Sequence, residues 1–379
     1  MPGTASARLK IVYCIDHLNP EGTQRVLEQL VEGLAQRGHY QAVICLNDKW
    51  DEPLRQRLGQ SGAEVRIIGK AGLLTGTGLL STWLWLRHRR FDIGVTLLFV
   101  SDVLGRTLLH NAGLPHLISS LRARNVNYAG WQRWLVRFTM RWVDAVVLNS
   151  AAVRDFAITH EAAPADRLTV IPNGLRVADY APTMDAAALR SLFDIPPDAQ
   201  VIGAVGRLTY QKGFDIALQA LAQLNRPHVH VLLLGSGEAE PALRQLAHQL
   251  GVAQQVCFGG YRRDIAQLLG ALDLYVHPAR FEGMPNALLE AMAAGCPIVA
   301  SAVDGNRELI ADGVHGWLVP AEDASALAQA LAAALDEPAE ARRRGLAAQC
   351  RASRDFDVEC MIAAWESILL QTRRLGVEH

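Results

Sequence analysis

Cysteine is scarce and scattered in this chain. The six cysteines among its 379 residues form no C-x-x-C pair, which argues against structural disulfides and a zinc site and fits a reducing compartment. No stretch approaches the roughly 20 apolar residues of a membrane-spanning helix, and the N-terminal residues lack the apolar run of a signal peptide. A G-x-G-x-x-G turn is also missing after the first predicted strand, which disfavours a dinucleotide-dependent dehydrogenase. These absences predict a cytoplasmic protein.

Net charge is almost absent as well, but it is unevenly distributed. Residues 1–174 hold 20 Lys+Arg and 14 Asp+Glu, whereas residues 175–379 hold 17 and 24. The overall charge of −1 and the lack of a nucleic-acid-reading motif argue against nucleic acid as a partner. The length, with half of the residues hydrophobic, fits two domains. Opposite charges on the two halves indicate that these domains have different partners.

Short apolar segments alternate with amphipathic helical segments through both halves, which predicts α/β domains with parallel sheets. The predicted strands are 10–17, 41–46, 64–68, 93–99, 117–120, 145–148, 201–206, 230–234, 256–258, 274–277 and 297–300. We expect two doubly wound, Rossmann-like sheets facing across a cleft, with ligands at the carboxyl ends of the strands. The expected domains are residues 1–174 and 175–355, followed by an amphipathic helix within 356–379.

A loop with the sequence Gly-Arg-Leu-Thr-Tyr-Gln-Lys-Gly, residues 206–213, joins a predicted strand to a predicted helix. Such a turn directs free backbone N–H groups toward an anion at the positive end of the helix. Arg207 adds a planar fork for phosphate oxygens and Lys212 adds a compact charge. The chain has four lysines, and Lys212 is the only one after residue 174. The alternative is that both cations are solvated surface charges, because a single glycine-rich turn is a weak signal.

Two glutamates stand where apolar residues are expected. Glu282 lies in a Gly/Pro turn, and Glu290 lies inside an apolar helical segment. Glutamate is rarely buried without a partner, so a hydroxyl-rich ligand is expected in front of these carboxylates. Pro285 fits the first helical position, and the N–H groups of Asn286 and Ala287 would then point toward the cleft. The alternative makes Glu282 a helix-cap acid and Glu290 the partner of an arginine.

Several segments together resemble the retaining glycosyltransferases of the GT-B fold, family 4. They are Gly206–Gly213, Gly235–Glu238, Phe258–Asp264 and Glu282–Ser301 in the second half, and Glu21–Leu27, Ser119–Arg122 and Ile171–Gly174 in the first. The resemblance covers nearly the whole chain, and its motifs are specific for the fold and reaction class but not for the sugar. It implies two Rossmann-like domains with a C-terminal helix that crosses back to the first domain.

The resemblance implies that a hexose-type sugar moves from a UDP- or GDP-sugar to a glycan or lipid-linked acceptor, in bacterial polysaccharide or glycolipid assembly. Arg207 and Lys212 would hold the donor diphosphate and stabilise the leaving group. Glu282 would contact the donor sugar near the reacting carbon, and Glu290 would take the ribose hydroxyls. With Arg207 and Lys212, Glu282 completes the implied catalytic set.

The remaining implied donor contacts lie around this set. The base would rest near Tyr261 and Arg262, and Gly22 would let the backbone approach the phosphate closely. Further substrate contacts are implied at Gly283, Met284, Asn286 and Ala287. The nucleotide-sugar is a substrate, so no cofactor is expected. The acids of Asp355-Phe-Asp357 have the D-x-D spacing of metal-dependent transferases, but an N-cap role for Asp357 explains them better, and no metal is expected.

Three positions depart from the family pattern. Glu21 stands where the family often has glycine, and an acid there would oppose a diphosphate unless it points away. Pro285 replaces a glycine and removes one N–H donor. Val100 aligns with a histidine that many members place beside the reacting sugar. No catalytic histidine is therefore assigned. The alternative is that His17 or Asp102 faces the cleft, but a structural role is expected for either.

Tryptophan and arginine concentrate in one part of the first half. Residues 81–145 hold nine Arg and three acids, with five of the eight tryptophans. The stretches 83–90 and 131–142 combine both residue types, which suits helices on an anionic membrane surface. We therefore expect that the protein sits peripherally on the inner face of the cytoplasmic membrane. The alternative is that these tryptophans are ordinary core residues flanked by solvated arginines.

Two other functions fit the same sequence. Glu21 and Val100 are compatible with a non-catalytic subunit that keeps the fold and stabilises a partner. A sugar-nucleotide epimerase or a phosphorylase would use the same fold. Assays with a panel of nucleotide-sugars distinguish these alternatives from sugar transfer.

Overall fold

The computed structural model describes residues 8–19, 21–122 and 128–375. The chain divides into two compact units, residues Met1–Gly174 with Val358–His379, and residues Leu175–Asp357. Each unit contains one parallel sheet covered by helices, so the predicted α/β class with two Rossmann-like domains is confirmed. Residues 376–379 of the predicted C-terminal segment lie outside the described residues.

The sheet of the first unit has seven parallel strands within the described residues, in the order β3-β2-β1-β4-β5-β6-β7. The strands are β1 Lys10–Ile15, β2 Tyr40–Cys45, β3 Glu64–Ile67, β4 Ile93–Leu97, β5 His116–Leu121, β6 Ala145–Leu148 and β7 Leu168–Val170. The central strands are buried on both faces, as parallel strands covered by crossover helices must be. The edge strand β7 is an addition to the predicted strands.

The helices of the first unit occupy both faces of this sheet. They are α1 Gly22–Gln36, α2 Glu52–Gln60, α3 Gly69–Leu74, α4 Thr77–Arg89, α5 Arg106–Asn111, α6 Gly130–Met140 and α7 Arg154–Glu161. A short π-helical turn, Ser101–Gly105, leads into α5. Asp51 caps α2 by accepting a hydrogen bond from Leu54 N at 3.1 Å.

The sheet of the second unit has six parallel strands in the order β10-β9-β8-β11-β12-β13 within the described residues. The strands are β8 Gln200–Val205, β9 Val229–Leu234, β10 Val256–Gly260, β11 Leu274–His277, β12 Ile298–Ser301 and β13 Trp317–Val319. The predicted bounds of β11 are confirmed, whereas β13 was not predicted. Apolar clusters fill both faces of the sheet.

The helices of the second unit follow the predicted alternation. They are α8 Ala186–Leu192, α9 Phe214–Leu224, α10 Glu240–Gln249, α11 Ile265–Leu269, α12 Asn286–Ala293, α13 Asp304–Leu309, α14 Ala324–Asp336 and α15 Pro338–Asp355. Asp185 and Asp323 cap α8 and α14 through hydrogen bonds from Ala188 N and Ala326 N, at 2.7 and 2.9 Å.

The last helix, α16 (Val358–Leu375), belongs to the first unit although it follows the second in the chain. Its residues Ile362 and Trp365 are buried in the core beneath β1 and α1. The Ile362 side chain fills the space above Gly33 of α1, where a larger residue would overlap it. Among the described residues, no helix combines the length and the apolar character needed to cross a bilayer.

Candidate functional site

The second sheet has a topological switch point between β8 and β11. From β8 the chain adds β9 and β10 on one side, and it then returns to place β11 on the other side of β8. In open α/β sheets, ligands bind outside the carboxyl ends of the strands at such a point, because the connecting loops diverge there. The loops that leave this point are residues 206–213 after β8 and residues 278–285 after β11.

Backbone contacts join these two loops. Gly213 has φ of +66°, a left-handed conformation that favours glycine, and a Cβ there would overlap the carbonyl oxygen of Pro278. Arg280 N donates to Gln211 O at 2.9 Å. The Gln211 side-chain amide donates back to Phe281 O at 3.0 Å. The two loops therefore form one structural element at the switch point.

Lys212 and Glu282, predicted separately as site residues, form a buried ion pair at this junction. Lys212 Nζ lies 2.5 Å from Glu282 Oε1, and the two side chains are 15% and 8% exposed. Burial by itself would raise the pKa of the Glu282 carboxyl, but the Lys212 ammonium and His277 outweigh that effect and lower the pKa to about 2. Glu282 is therefore an ionised carboxylate that accepts hydrogen bonds at neutral pH.

Two residues that the sequence interpretation did not assign to the site contact the same carboxylate. His277, at the end of β11, places Nε2 3.4 Å from Glu282 Oε1, and its side chain is 3% exposed. Gln211 Nε2 lies 3.4 Å from Glu282 Oε2. Burial lowers the pKa of His277 against the opposing effect of the Glu282 charge, so the imidazole is neutral at pH 7. Lys212, His277 and Gln211 thus surround both oxygens of Glu282.

Arg280 anchors the outer side of the two loops. Its guanidinium forms a two-pronged contact with Asp215, at 2.8 and 2.6 Å, and a third bond with Glu322 at 2.9 Å. It also donates to Tyr210 O at 2.7 Å and lies 3.9 Å from the centre of the Tyr210 ring. These contacts fix the backbone on both sides of Lys212.

The start of α13 packs against the turn that contains Glu282. Gly305 lies so close to this turn that a Cβ would overlap Gly283 O. Asn306 donates to Ser301 O at 2.8 Å, and Ser301 Oγ donates to Ala279 O at 2.5 Å. The backbone position of Glu282 therefore depends on close packing against the start of α13.

Arg207 differs from Lys212 in its surroundings. Its side chain is exposed, and it has no ion-pair partner among the residues that the structure describes. The loop that contains Arg207 is anchored to the loop after β9, because Leu208 N donates to Ser236 O at 3.0 Å. The loop after β9 is itself anchored to the end of β10, because Gly235 N donates to Gly260 O at 2.7 Å. Arg207 therefore offers an unpaired guanidinium beside the Lys212 loop, the arrangement expected of an anion site.

The predicted base-side residues are partly engaged within the protein. Tyr261 is 49% exposed. Arg262 forms a two-pronged contact with Asp264, at 2.8 and 2.5 Å, and its guanidinium lies 5.6 Å from the Phe193 ring centre. The Arg262 side chain is thus oriented by its neighbours and has less freedom than an isolated surface arginine.

Helix α12 carries the other predicted donor contacts. It begins at Asn286, so Pro285 is the extended residue before the helix and not the first helical residue that was predicted. Asn286 and Ala287 are half-buried, whereas Gly283 and Met284 are buried. Glu290 is 5% exposed. Burial raises the pKa of Tyr275 far above its usual range, with Glu290 and Glu282 as further contributors. Both predicted glutamates therefore place negative charge near the same tyrosine.

The first-unit positions have structural explanations. Asp16 accepts hydrogen bonds from Val100 N and Ser101 N, at 2.9 and 2.7 Å, and so caps the turn that contains Val100. Asp102 is 2.7 Å from Arg106 in a pair that is almost fully buried. His17 contacts the Gln24 side chain at 3.2 Å. Asp102 and His17 thus each contact a side chain of the first unit, and their structural roles stay a prediction.

Two further predictions concern the amino-terminal loop of the first unit and the expected absence of a metal site. Gly22 is the first residue of α1, directly after Glu21, whose N donates to Asn19 O at 2.8 Å. Among residues 8–19, 21–122 and 128–375, no group of three or more His, Cys, Asp or Glu side chains is arranged to hold a metal ion.

The tryptophan-rich stretches separate into packed and exposed residues. Trp85 donates to Glu64 at 2.9 Å and packs on Phe91, with ring centres 5.1 Å apart. Trp83 donates to Asn111 O at 2.9 Å. By contrast, Trp131 and Trp134 of α6 are 62% and 61% exposed. The alternative of core residues therefore applies to Trp85, whereas the two most exposed tryptophans lie on α6.

The arrangement in the second unit can bind an anion beside hydroxyl groups. Arg207 and Lys212 supply positive charge, and the helix starts at α9 and α12 supply backbone N–H groups. The Glu282 carboxylate and the buried Glu290 carboxylate are acceptors for hydroxyl protons. A ligand that joins a phosphate group to sugar hydroxyls matches this set.

Each unit matches a different family model. Residues 187–350 match the model described as glycosyl transferases group 1, and residues 21–174 match the glycosyl transferase 4-like domain.

Relatives of known name lie in the same class. The lipopolysaccharide core biosynthesis glycosyltransferase LpsE of Rhizobium meliloti is 37% identical over 142 residues, which span 38% of this chain and 41% of LpsE. The lipopolysaccharide core biosynthesis mannosyltransferase LpsB of the same organism is 29% identical over 258 residues, 64% of this chain and 70% of LpsB. Among solved structures, Anabaena HepE in complex with UDP-glucose superposes with a TM-score of 0.83 and 25% identity, over 95% of this chain and 100% of that one.

Proposed function

The chain belongs to the glycosyl transferases group 1 family, with the GT-B fold, and on that premise we propose that it is a retaining hexosyltransferase. It takes a hexose-type sugar from a UDP- or GDP-sugar and transfers it to a glycan or lipid-linked acceptor. The observation that carries this proposal is the buried Lys212–Glu282 pair beside the exposed Arg207 at the switch point.

The site has the charges that glycosyl transfer needs. Cleavage of the bond between the sugar and the diphosphate develops negative charge on the leaving group, and preorganised cations stabilise it. Arg207 and Lys212 hold the diphosphate, Glu282 faces the donor sugar, and Glu290 accepts the ribose hydroxyls. Acceptor attack on the face from which the diphosphate leaves retains the anomeric configuration. A diphosphate oxygen takes the acceptor proton.

The relatives favour a role in bacterial polysaccharide or glycolipid assembly. LpsE and LpsB are named for lipopolysaccharide core biosynthesis, and another relative, of Escherichia coli, is named for galactosyl transfer to a diphosphoundecaprenol-linked sugar. HepE has been solved with UDP and with UDP-glucose. These names support a nucleotide-sugar donor and a lipid-linked acceptor for this chain, with a UDP-sugar as the first donor to examine.

A ligand screen followed by a transfer assay tests the proposal. We expect UDP or GDP and one of its sugars to raise the melting temperature more than ADP does, because a ligand that binds only the folded state stabilises it. Transfer to an acceptor, with the product anomer assigned by proton NMR, then reports retention. Activity that persists in EDTA supports a metal-free mechanism. Binding of nucleotide-sugar without transfer or donor hydrolysis would instead favour a non-catalytic subunit.

We also propose that the first unit associates with an anionic membrane surface through α6. Trp131, Trp134 and Phe138 recur on one side of this helix and are 62%, 61% and 40% exposed. Arg137 and Arg141 are exposed beside them, and the Arg141 guanidinium lies 3.7 Å from the Phe138 ring centre. Aromatic rings next to arginines suit the boundary between acidic headgroups and acyl chains. A peripheral position on the cytoplasmic membrane would bring the site to a lipid-linked acceptor.

Liposome flotation tests this surface. Vesicles with anionic lipid are expected to carry the wild-type protein at low salt, and replacing both Trp131 and Trp134 by alanine should abolish most of the binding. Trp50→Ala is the matched control, because Trp50 is 40% exposed in the same unit but lies outside α6. Equal flotation of the double variant and the control would contradict the role of α6.

A further inference from the structure

Four polar groups form a continuous chain from the core of the second unit to the anion loop. Tyr275 OH lies 3.2 Å from His277 Nδ1, His277 Nε2 lies 3.4 Å from Glu282 Oε1, and that oxygen lies 2.5 Å from Lys212 Nζ. Tyr275 and His277 are 0% and 2% exposed. We propose that His277 is a positioning residue, which orients the Glu282 carboxylate and through it the Lys212 ammonium. This inference deepens the proposed function and rests on it.

The hydrogen-bond chain fixes the tautomer of the imidazole. Burial holds Tyr275 in its protonated form, so its hydroxyl can donate to His277 Nδ1. A neutral imidazole carries one N–H, and an ionised carboxylate can only accept a hydrogen bond, so the proton resides on Nε2, the atom that faces Glu282 at 3.4 Å. The same logic operates in catalytic sites where one ring nitrogen is held so that the other has a defined role.

His277 Nε2 needs an acceptor in this direction. It is a buried nitrogen that makes no hydrogen bond of good geometry within the described residues, and leaving such a group unsatisfied costs about 1–3 kcal/mol. An acceptor, the Glu282 carboxylate oxygen, lies 3.4 Å away. A small rotation of either side chain completes this hydrogen bond, and catalytic hydrogen bonds commonly tighten when the substrate binds.

The position of Lys212 follows from that of Glu282. An ammonium group has three N–H donors, and Glu282 takes one of them. The other two remain for the donor diphosphate, in a direction set by the carboxylate. Gln211 holds the second carboxylate oxygen, so Glu282 cannot rotate freely when both neighbours are in place. Loss of the His277 contact would release the carboxylate on the side of Lys212.

Two substitutions of His277 by amide side chains distinguish the effect of the hydrogen-bond donor position from the effect of side-chain volume. In His277→Gln the amide nitrogen reaches the position of Nε2 and can still donate to Glu282. In His277→Asn the shorter side chain reaches only the Nδ1 position, keeps a partner for Tyr275 and loses Glu282. We expect kcat of the Asn variant to fall about 10–100-fold, as for the loss of a supporting partner behind a functional group, with a smaller change in KM. The Gln variant should stay within about threefold of wild type.

Lysine NMR gives a readout that does not require turnover. Protein labelled with ¹³C-lysine contains four labelled residues, and Lys212→Arg identifies the Lys212 signal. We expect the methylene signal of Lys212 to shift and sharpen in His277→Asn, because the ammonium is less restrained, and to stay unchanged in His277→Gln. His230→Gln is the matched control, since His230 lies on β9 near the amino-terminal end of the same sheet.

The outcomes separate the inference from the proposed function. Wild-type kcat together with an unchanged Lys212 signal in His277→Asn would overturn the positioning role. Equal loss in the Gln and Asn variants, with equal melting temperatures, would also overturn it, because the donor position would then not matter. A Lys212 signal that responds only to the Asn variant, in a protein without transferase activity, would support the positioning role and overturn the proposed function.

Discussion

At the scale of single residues, Lys212 interacts with two negatively charged groups. It is buried against Glu282, and in the proposed mechanism it also binds the diphosphate. We expect Lys212→Ala to lower kcat/KM by roughly 10²-fold or more, the usual cost of losing one partner of the charge that develops in the transition state. Steady-state kinetics on the folded variant measure this, with Lys70→Ala as a control because Lys70 is exposed in the other unit. Unchanged kinetics in Lys212→Ala would exclude the assigned role.

The Glu282 carboxylate makes the stability of the second unit depend on pH. Its pKa falls from 4.5 to about 2 in the folded protein, so the ionised form stabilises the fold above pH 4.5. That contribution, about 3 kcal/mol at most, is lost as the pH falls from 4.5 toward 2. Urea unfolding of wild type and Glu282→Gln should therefore differ most near pH 6, and the difference should shrink as the pH falls from 4.5 and vanish near pH 2.

The comparison needs an acid that lies outside the ion pair. Glu238→Gln serves because Glu238 is exposed, and it should leave the pH dependence unchanged. A constant difference between wild type and Glu282→Gln from pH 7 to pH 2 would show that the carboxylate charge does not stabilise the fold.

Glu290 tests the ribose assignment at the other end of the donor. Because Glu290 is 5% exposed, Glu290→Gln is preferable to alanine, since it keeps the volume while removing the charge. Losing a charged acceptor costs about 1.5–3 kcal/mol, so the Kd for the preferred nucleoside diphosphate should rise about 10–100-fold. Isothermal calorimetry with the ribose and 2′-deoxyribose forms gives the check. The Kd for the 2′-deoxyribose form should differ less between wild type and variant than the Kd for the ribose form. Equal Kd values of the two proteins for the ribose form would contradict the assignment.

At the scale of elements, the site depends on how closely three loops pack. Gly305 at the start of α13 touches the Glu282 turn through backbone atoms alone. Gly305→Ala should displace that turn, destabilise the fold by about 1–3 kcal/mol and lower kcat/KM at least tenfold, because small displacements of reacting groups are costly. Melting curves and kinetics at a temperature where the variant is folded measure both effects.

The matched control for this change is Gly59→Ala. Gly59 lies within α2, where a Cβ would meet open space, so alanine there should stabilise the protein slightly by favouring the helix. If Gly305→Ala behaved like Gly59→Ala, the close packing against α13 would have no part in the geometry of Glu282.

Strands buried on both faces were predictable, whereas the two shortest edge strands were not. Strands such as β8 and β11 are short apolar segments bounded by glycine or proline, and their positions were predicted within a residue or two. The strands β7 and β13 have three residues each and lie at the sheet edges. Three residues give no periodicity to recognise, and only pairing with a neighbour defines such strands.

The site residues divide in a similar way. Glu282 was recognisable because an acid in an apolar segment is unusual. His277 was missed because a histidine at the end of an apolar strand looks like any buried side chain. Its contact with Glu282, and that of Gln211 with a carboxylate 71 positions later, exists only because the sheet order places β8 next to β11. Local sequence does not contain that adjacency.

At the scale of the whole molecule, each unit has its own sheet and its own apolar clusters. The first half of the chain carries an excess of basic residues and the second an excess of acidic ones. The basic half contains α6, which we propose binds anionic lipid, whereas the anion site of the acidic half is formed by local cations at one sheet edge. The net charge of each unit therefore bears on the partners that it attracts. The chemistry of the site depends instead on the positions of a few individual side chains.

The core of the first unit is completed by α16, the last helix of the chain. Trp365 of α16 is 1% exposed within the core of that unit, so residues 1–174 alone would leave a large apolar surface uncovered. A fragment of residues 175–357 should fold on its own and bind the nucleoside diphosphate, because its sheet, its core and the Arg207, Lys212, Glu282 and Glu290 side chains lie within it.

Circular dichroism, NMR and calorimetry on separate fragments test this dependence. Residues 1–174 should aggregate or remain expanded, whereas residues 1–174 joined by a flexible linker to residues 358–379 should give a cooperative melt. Replacing Trp365 by alanine in that joined fragment should cost about 3–5 kcal/mol, as for other buried large aromatic residues. A cooperative melt of residues 1–174 without α16 would mean that the helix covers a core which is already stable. In that case its burial would add stability without being needed for the unit to fold.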